Sequence, residues 1–119
     1  MNQTENNVTI FEKILAKKIP ANIVYEDDFC LAFKDIQPQA PVHVLVIPKK
    51  KMQSFVEVAE QDVNFLGRYM QGISKAAKAL ELDSSGYRVV FNSGKDAQQT
   101  VDYIHAHILG KRSLDWPPG

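Results

Sequence analysis

Cysteine is nearly missing from this chain: Cys30 stands alone among 119 residues, so no internal disulfide can brace the fold. Long apolar runs are missing too. The best, residues 44–47 and 89–91, fall far short of the ~20 consecutive apolar residues of a membrane-crossing helix, and no span is expected. Excess charge of either sign is absent, since 14 Lys plus Arg face 14 Asp plus Glu; a general electrostatic grip on nucleic acid is not expected. Residues 1–7 are polar and lack the apolar stretch of a secretory signal, which together with the lone thiol points to a cytoplasmic protein. The common phosphate and nucleophile motifs are also missing. Gly94-Lys95 is followed by Asp96, with Val89 five places before the glycine, and neither G-x-G-x-x-G nor G-x-S-x-G occurs.

What remains is an ordinary globular composition, 45% hydrophobic and 24% charged, of a length that suits one core. The expected organisation is a flexible leader over residues 1–8 and a single domain over 9–119. Thr9-Ile10-Phe11-Glu12 has the form of a capping box and predicts a short helix ending near Lys18, before Pro20. Residues 23–25 and 30–34 read as a hairpin around the turn-forming Glu26-Asp27-Asp28, and 43–47 as a central strand stopped by Pro48. From 59 to 82 the period becomes helical, with Val63, Leu66, Met70, Ile73, Ala77 and Leu80 on one stripe expected to cover the sheet. Gly67 and Gly72 weaken that helix by roughly 1 kcal/mol each and suggest close approach to the sheet. Residues 87–92 and 101–109 read as two further strands, so the fold class is α+β on a largely antiparallel sheet.

The chemistry concentrates in the last of these stretches. Alternation sends Val101, Tyr103, His105, His107 and Leu109 to one face and Asp102, Ile104, Ala106 and Ile108 to the other, an apolar and therefore core-facing set. His105 and His107 then project together, with Cα atoms about 6.5–7 Å apart, and can address one small anion. A solvated face would show the same spacing. A catalytic zinc held by His43, His105 and His107 is a further possibility on ligand types alone. Cys30, among Phe29, Leu31, Ala32 and Phe33, reads as a buried small hydrophobe. Lys49-Lys50-Lys51 reads as a solvated edge rather than a phosphate site.

The stretch from Gln99 through Thr100, Val101, Asp102, Tyr103, Ile104, His105, Ala106, His107, Ile108 and Leu109 to Gly110 resembles the His-x-His-x-His signature of histidine triad (HIT) proteins. Residues 32–43, Val46-Ile47-Pro48-Lys49, Gly86-Tyr87-Arg88, Asn92 and the ending Trp116-Pro117-Pro118-Gly119 resemble its Hint branch, in order. The resemblance implies a five-stranded antiparallel sheet with one long and one short helix, and a homodimer with a ten-stranded sheet in which the tail at Trp116 lies near the partner's site. It implies a hydrolase that cleaves the P–N bond of purine nucleoside 5′-phosphoramidates through a covalent nucleotidyl-histidine, with no metal or other cofactor. His105 matches the nucleophile, His107 the histidine that holds a phosphate oxygen, His43 one that orients the nucleophile, and Thr100 a hydroxyl that assists the departing amine. Asn92 and Gln99 match contacts to phosphate or leaving group, and Asp35 the carboxylate that takes the ribose hydroxyls. Phe33, Ile36, Ile10, Phe11 and Ile14 match the walls of the base pocket. The main departure is Tyr103, a phenol where the first histidine of the triad belongs, which implies an altered proton relay and a slower enzyme. Gln98 replaces a small glycine and bears on leaving-group preference. The alternatives are a nucleotide-binding interaction protein with lost catalysis, a dinucleoside polyphosphate hydrolase using the same nucleophile, and the zinc hydrolase.

Overall fold

The computed structural model describes residues 8–119, so the leader expected over residues 1–8 lies, Val8 apart, outside the described residues. Helix α1, Ile10–Leu15, starts as the sequence dictates. The Thr9 amide donates to Glu12 Oε1 at 2.8 Å, and the Glu12 amide donates to Thr9 Oγ1 at 3.4 Å, a reciprocal cap of the kind that stabilises a helix start by about 1 kcal/mol. Strands β1, Ile23–Glu26, and β2, Cys30–Lys34, form the expected hairpin. Asp27 closes its turn by accepting from the amides of Phe29 and Cys30 at 2.7 and 2.9 Å. Strand β3 is Val42–Pro48, β4 is Tyr87–Phe91 and β5 is Ala106–Gly110. The sheet order is β1-β2-β3-β5-β4 with every neighbouring pair antiparallel, so β3 is central and β1 and β4 are edges.

The long helix α2 is Val63–Ala79, shorter than the 59–82 expected, because a 3₁₀ helix, Phe55–Glu60, occupies the approach and the Asp62 side chain caps α2 afresh at the Phe65 amide. Its buried face is Tyr69, Gly72, Ile73, Ala76 and Ala77. Of the expected stripe, Ile73 and Ala77 are buried and Leu80 packs against the core, whereas Val63 and Met70 are 82% and 49% exposed, so the buried face is rotated from the expected one toward Tyr69, Gly72 and Ala76. Small residues decide the rotation. A methyl at Gly72 would stand 2.3 Å from Cys30 Sγ, so only glycine lets the helix lie this close to β2, whereas Gly67 meets nothing within 4 Å and plays no such part. Tyr69, a core residue the stripe omitted, seals the contact by donating to the Val46 carbonyl at 2.7 Å.

The sheet is covered on both faces. Cys30, Ala32, Val44, Val46, Ala106 and Ile108 pack under α2, and Leu31, Phe33, Leu45, Ile47 and Tyr103 pack with Phe11 and Ile14 of α1. Cys30 is fully buried, and burial first, then Asp27, pushes its thiol up to about 12, as suits an inert packing residue. Lys49 and Lys51 pair with Glu26 and Glu12 at 2.8 and 3.0 Å. No helix among the described residues is long and apolar enough to cross a membrane.

Candidate active site

The site is assembled on the α1 face of the central strands. Antiparallel register sets His43 of β3 opposite Leu109 and Leu45 opposite His107 of β5, so the two histidine side chains share a face. β5 begins only at Ala106, not at 101. The backbone over 101–103 bends instead, and the Ile104 amide is taken by the Met52 carbonyl at 2.7 Å, so His105 sits on the last irregular residue before the strand. Its ring still faces the same way as His107, with centroids 5.0 Å apart. The solvated-face alternative fails because α1 covers it. Phe11 meets the His105 ring edge-on at 5.0 Å, and His105 and His43 are 5% and 7% exposed.

Hydrogen bonds assign a proton to each ring. His105 Nδ1 lies 2.7 Å from the Tyr103 carbonyl oxygen, which only accepts, so Nδ1 carries the hydrogen and Nε2 keeps its lone pair. His43 Nδ1 receives the Gln39 amide hydrogen at 3.0 Å, so its own hydrogen is on Nε2. That nitrogen lies 2.9 Å from His107 Nδ1 and donates to it, which leaves the His107 hydrogen on Nε2. His107 Nε2 is buried and has no protein partner among the described residues. The site therefore presents a lone pair on His105 and an unspent N–H on His107, side by side.

Electrostatics supports the neutral forms these tautomers require. Burial lowers the pKa of His43, with Asp35 opposing, and lowers that of His105, with the Tyr103 carbonyl and Asp35 opposing. His107 falls furthest, to about 4, through burial and then the neighbouring His105 and His43. Burial thus favours the neutral form of all three rings.

A cavity of about 570 Å³ opens on this pair. It brings together His105, His107, Asp35, Thr100, Phe33, Ile36, Ile10, Phe11 and Ile14 of the residues singled out in the sequence. His43 stands behind His107 with its Nε2 3.4 Å from Asp35 Oδ2. Ile36 is 91% exposed at the rim, while Phe11 and Phe33 are buried in the wall. Gln99 and Asn92 do not line the cavity. The Gln99 side chain knits its own loop, accepting from the Gly94 amide at 2.9 Å and donating to the Gln53 and Val101 carbonyls at 2.7 and 2.9 Å. Asn92 follows β4 one residue past its last register pair, Phe91 with Ala106.

The HIT domain family matches residues 16–114, most of the chain. The chain belongs to the HIT family. A HIT-like protein of Synechococcus elongatus is 51% identical over 111 residues, covering 93% of this chain and 96% of that one. A maize protein described as a 14 kDa zinc-binding protein is 43% identical over 121 residues, covering 100% of this chain and 94% of its own. The crystal structure of a HIT family hydrolase from Legionella pneumophila Philadelphia 1 superposes with a TM-score of 0.88 at 44% identity, covering 94% of this chain and all of that one.

Within this HIT chain, Tyr103 departs from the triad in a specific way. Its hydroxyl donates to the buried Pro48 carbonyl and not to His105, and burial raises its pKa. No phenol stands behind His105; the main-chain carbonyl of residue 103 does. The same geometry bears on zinc. Among the described residues the ligand atoms that come within 4.8 Å of one another belong to Asp35, His43 and His107, not to the three histidines. Two imidazole nitrogens on a tetrahedral zinc sit about 3.3 Å apart with both lone pairs free. His43 Nε2 and His107 Nδ1 are 2.9 Å apart and share a hydrogen, so as arranged the cluster fits a hydrogen bond and not a metal. Sequence reasoning missed Leu45, which alternation from His43 would have placed in the cavity, and the Gln39 amide, whose role no side-chain pattern signals.

Proposed function

We propose that this HIT chain is a Hint-branch hydrolase that cleaves the P–N bond of purine nucleoside 5′-phosphoramidates through a nucleotidyl-His105 intermediate. The observation that carries the reading is the tautomer pair: a lone pair on His105 Nε2 beside an unpartnered, buried N–H on His107. The His105 lone pair attacks the α-phosphorus and the P–N bond breaks, its electron pair leaving on nitrogen. The amine takes a proton as it departs, supplied in this reading by the hydroxyl of Thr100, a residue of the cavity wall. His107 Nε2–H donates to a phosphate oxygen as charge grows there. The positive charge that His105 acquires strengthens its Nδ1–H bond to the Tyr103 carbonyl. Water then attacks the phosphorus and returns a proton to the Thr100 oxygen, the N–P bond breaks, and AMP leaves with the His105 lone pair and the Thr100 hydroxyl restored.

Asp35 at the cavity wall offers acceptor oxygens for the ribose diol, and the apolar wall of Ile10, Phe11, Ile14, Phe33 and Ile36 suits a purine face. We take Asn92 and Gln99 as loop residues that shape the phosphate end. The working unit in this reading is one domain over residues 9–119, cytoplasmic, paired through β4 into a ten-stranded sheet. An open edge at β4, exposed Val63, Met70, Phe55 and Val56, and a tail held beside β4 by Arg88 all support that pairing. Arg88 Nη1 donates to the Asp115 carbonyl at 2.9 Å and its guanidinium lies 5.7 Å from the Trp116 ring.

The test is AMP release from adenosine 5′-phosphoramidate with and without chelator. Turnover that resists chelator and falls at least about 10³-fold in His105→Ala is expected. AMP binding without turnover would replace the reading with a nucleotide-binding module, and chelator-sensitive turnover with a zinc enzyme. A panel including diadenosine polyphosphates separates the remaining hydrolase.

A further inference from the structure

We infer that Arg112, a residue outside the cavity, is a positioning residue of this site, which holds the hydrogen of His107 on Nε2 through Gln39 and His43. The series is continuous. Arg112 Nε donates to the Gln39 carbonyl at 3.1 Å, the Gln39 amide donates to His43 Nδ1 at 3.0 Å, and His43 Nε2 donates to His107 Nδ1 at 2.9 Å. The last member is the buried, unpartnered N–H of His107, a residue of the cavity wall.

Each link has a fixed direction. Guanidinium and amide only donate and a carbonyl only accepts, so a neutral His43 held by the amide has a single available tautomer, and through it so does His107. The weak point is the Gln39 segment. It runs between Pro38 and Pro41, which bring no amide hydrogens to knit it, and residues 36–39 are exposed. Arg112 pins it from the segment that follows β5, and its Nη1 also donates to the Ser113 carbonyl at 2.9 Å, which holds the guanidinium in place. Released, the Gln39 amide leaves His43 Nδ1, the Nε2–H form of His43 keeps the longer 3.4 Å contact with Asp35 Oδ2, the two tautomers approach comparable populations, and His107 loses much of its preference. A His107 with its hydrogen on Nδ1 turns a lone pair toward the cavity, where an anionic oxygen would be repelled.

The effect on turnover rests on the function proposed above; the tautomer assignment does not. The experiment therefore reads both. Two-bond ¹H–¹⁵N spectra of the ligand-free, ¹⁵N-labelled protein distinguish protonated from bare ring nitrogens. Wild type should show His107 protonated on Nε2 alone. Arg112→Ala should show a mixture, with kcat for the phosphoramidate down about twofold, in proportion to the lost fraction of the correct tautomer, and KM essentially unchanged. Arg112→Lys, which keeps a donor for the Gln39 carbonyl, should recover most of both. An unchanged His107 spectrum in Arg112→Ala overturns the inference, as does a mixed spectrum with unchanged kcat. If wild type turns over no phosphoramidate, the proposed function fails while the spectra still decide the relay.

Discussion

At the scale of single residues, two imidazoles of one type are given opposite tasks by their hydrogen-bond partners. A carbonyl makes His105 an Nδ1 donor with a free Nε2, and an amide acting through His43 makes His107 the reverse. Because the partner of His105 is the main chain of residue 103, the side chain there answers to stability rather than chemistry. Tyr103→Phe should leave kcat/KM within about threefold while lowering unfolding free energy by about 1–2 kcal/mol, the cost of an orphaned Pro48 carbonyl, as urea titration with parallel kinetics would show. Acid offers a second check. The pKa of His107 is lowered from the usual histidine value to about 4, so below pH 6.5 the unfolded chain takes up that proton first. Stability from this source is complete above about pH 6.5 and declines as pH falls toward 4. The loss should amount to about 1–3 kcal/mol and be absent from His107→Asn in the same titrations.

At the scale of elements, the capping box of α1 and the Asp27 turn were legible because each is a local bargain between neighbours in the chain. The face of α2 was not. Ile73 and Ala77 of the expected stripe are buried, but the buried face is centred on Tyr69, Gly72 and Ala76, which the spacing of large aliphatic residues does not mark. Gly72, Ala76 and Ala77 let this side of the helix pack closer to the sheet, with more dispersion contact, than the side that carries Met70. The two glycines accordingly should part company. Gly72→Ala must displace Cys30 and should cost about 1–3 kcal/mol, recovered in part by adding Cys30→Ala, whereas Gly67→Ala should stabilise by up to about 1 kcal/mol. Thermal denaturation of the three variants measures all of this. The start of β5 was misjudged for a related reason: alternation continues through 101–105, but the Ile104 amide finds its partner at Met52 and not in a neighbouring strand.

At the scale of the whole molecule, the stripe that α2 leaves uncovered and the open edge of β4 lie on a chain with no net charge to keep copies apart. Val89, 40% exposed on that edge, is the position to probe. If two copies pair through β4 as proposed, sedimentation should give a dimer, and Val89→Lys, which puts a charge on the exposed edge strand, should shift it toward monomer at micromolar concentration. A monomeric wild type would remove the ten-stranded sheet from the functional reading.

Alternation and local capping, both properties of adjacent residues, were enough for the sequence alone to determine the α+β class, the hairpin, the core face of 104–108 and the pairing of His105 with His107 on the other. The tertiary structure decided the rest. Which helix face packs depends on what the sheet allows near Cys30, whether the histidine face is wet depends on α1 arriving over it, and which ring nitrogen keeps its lone pair depends on carbonyl and amide groups that every residue carries and no sequence pattern marks.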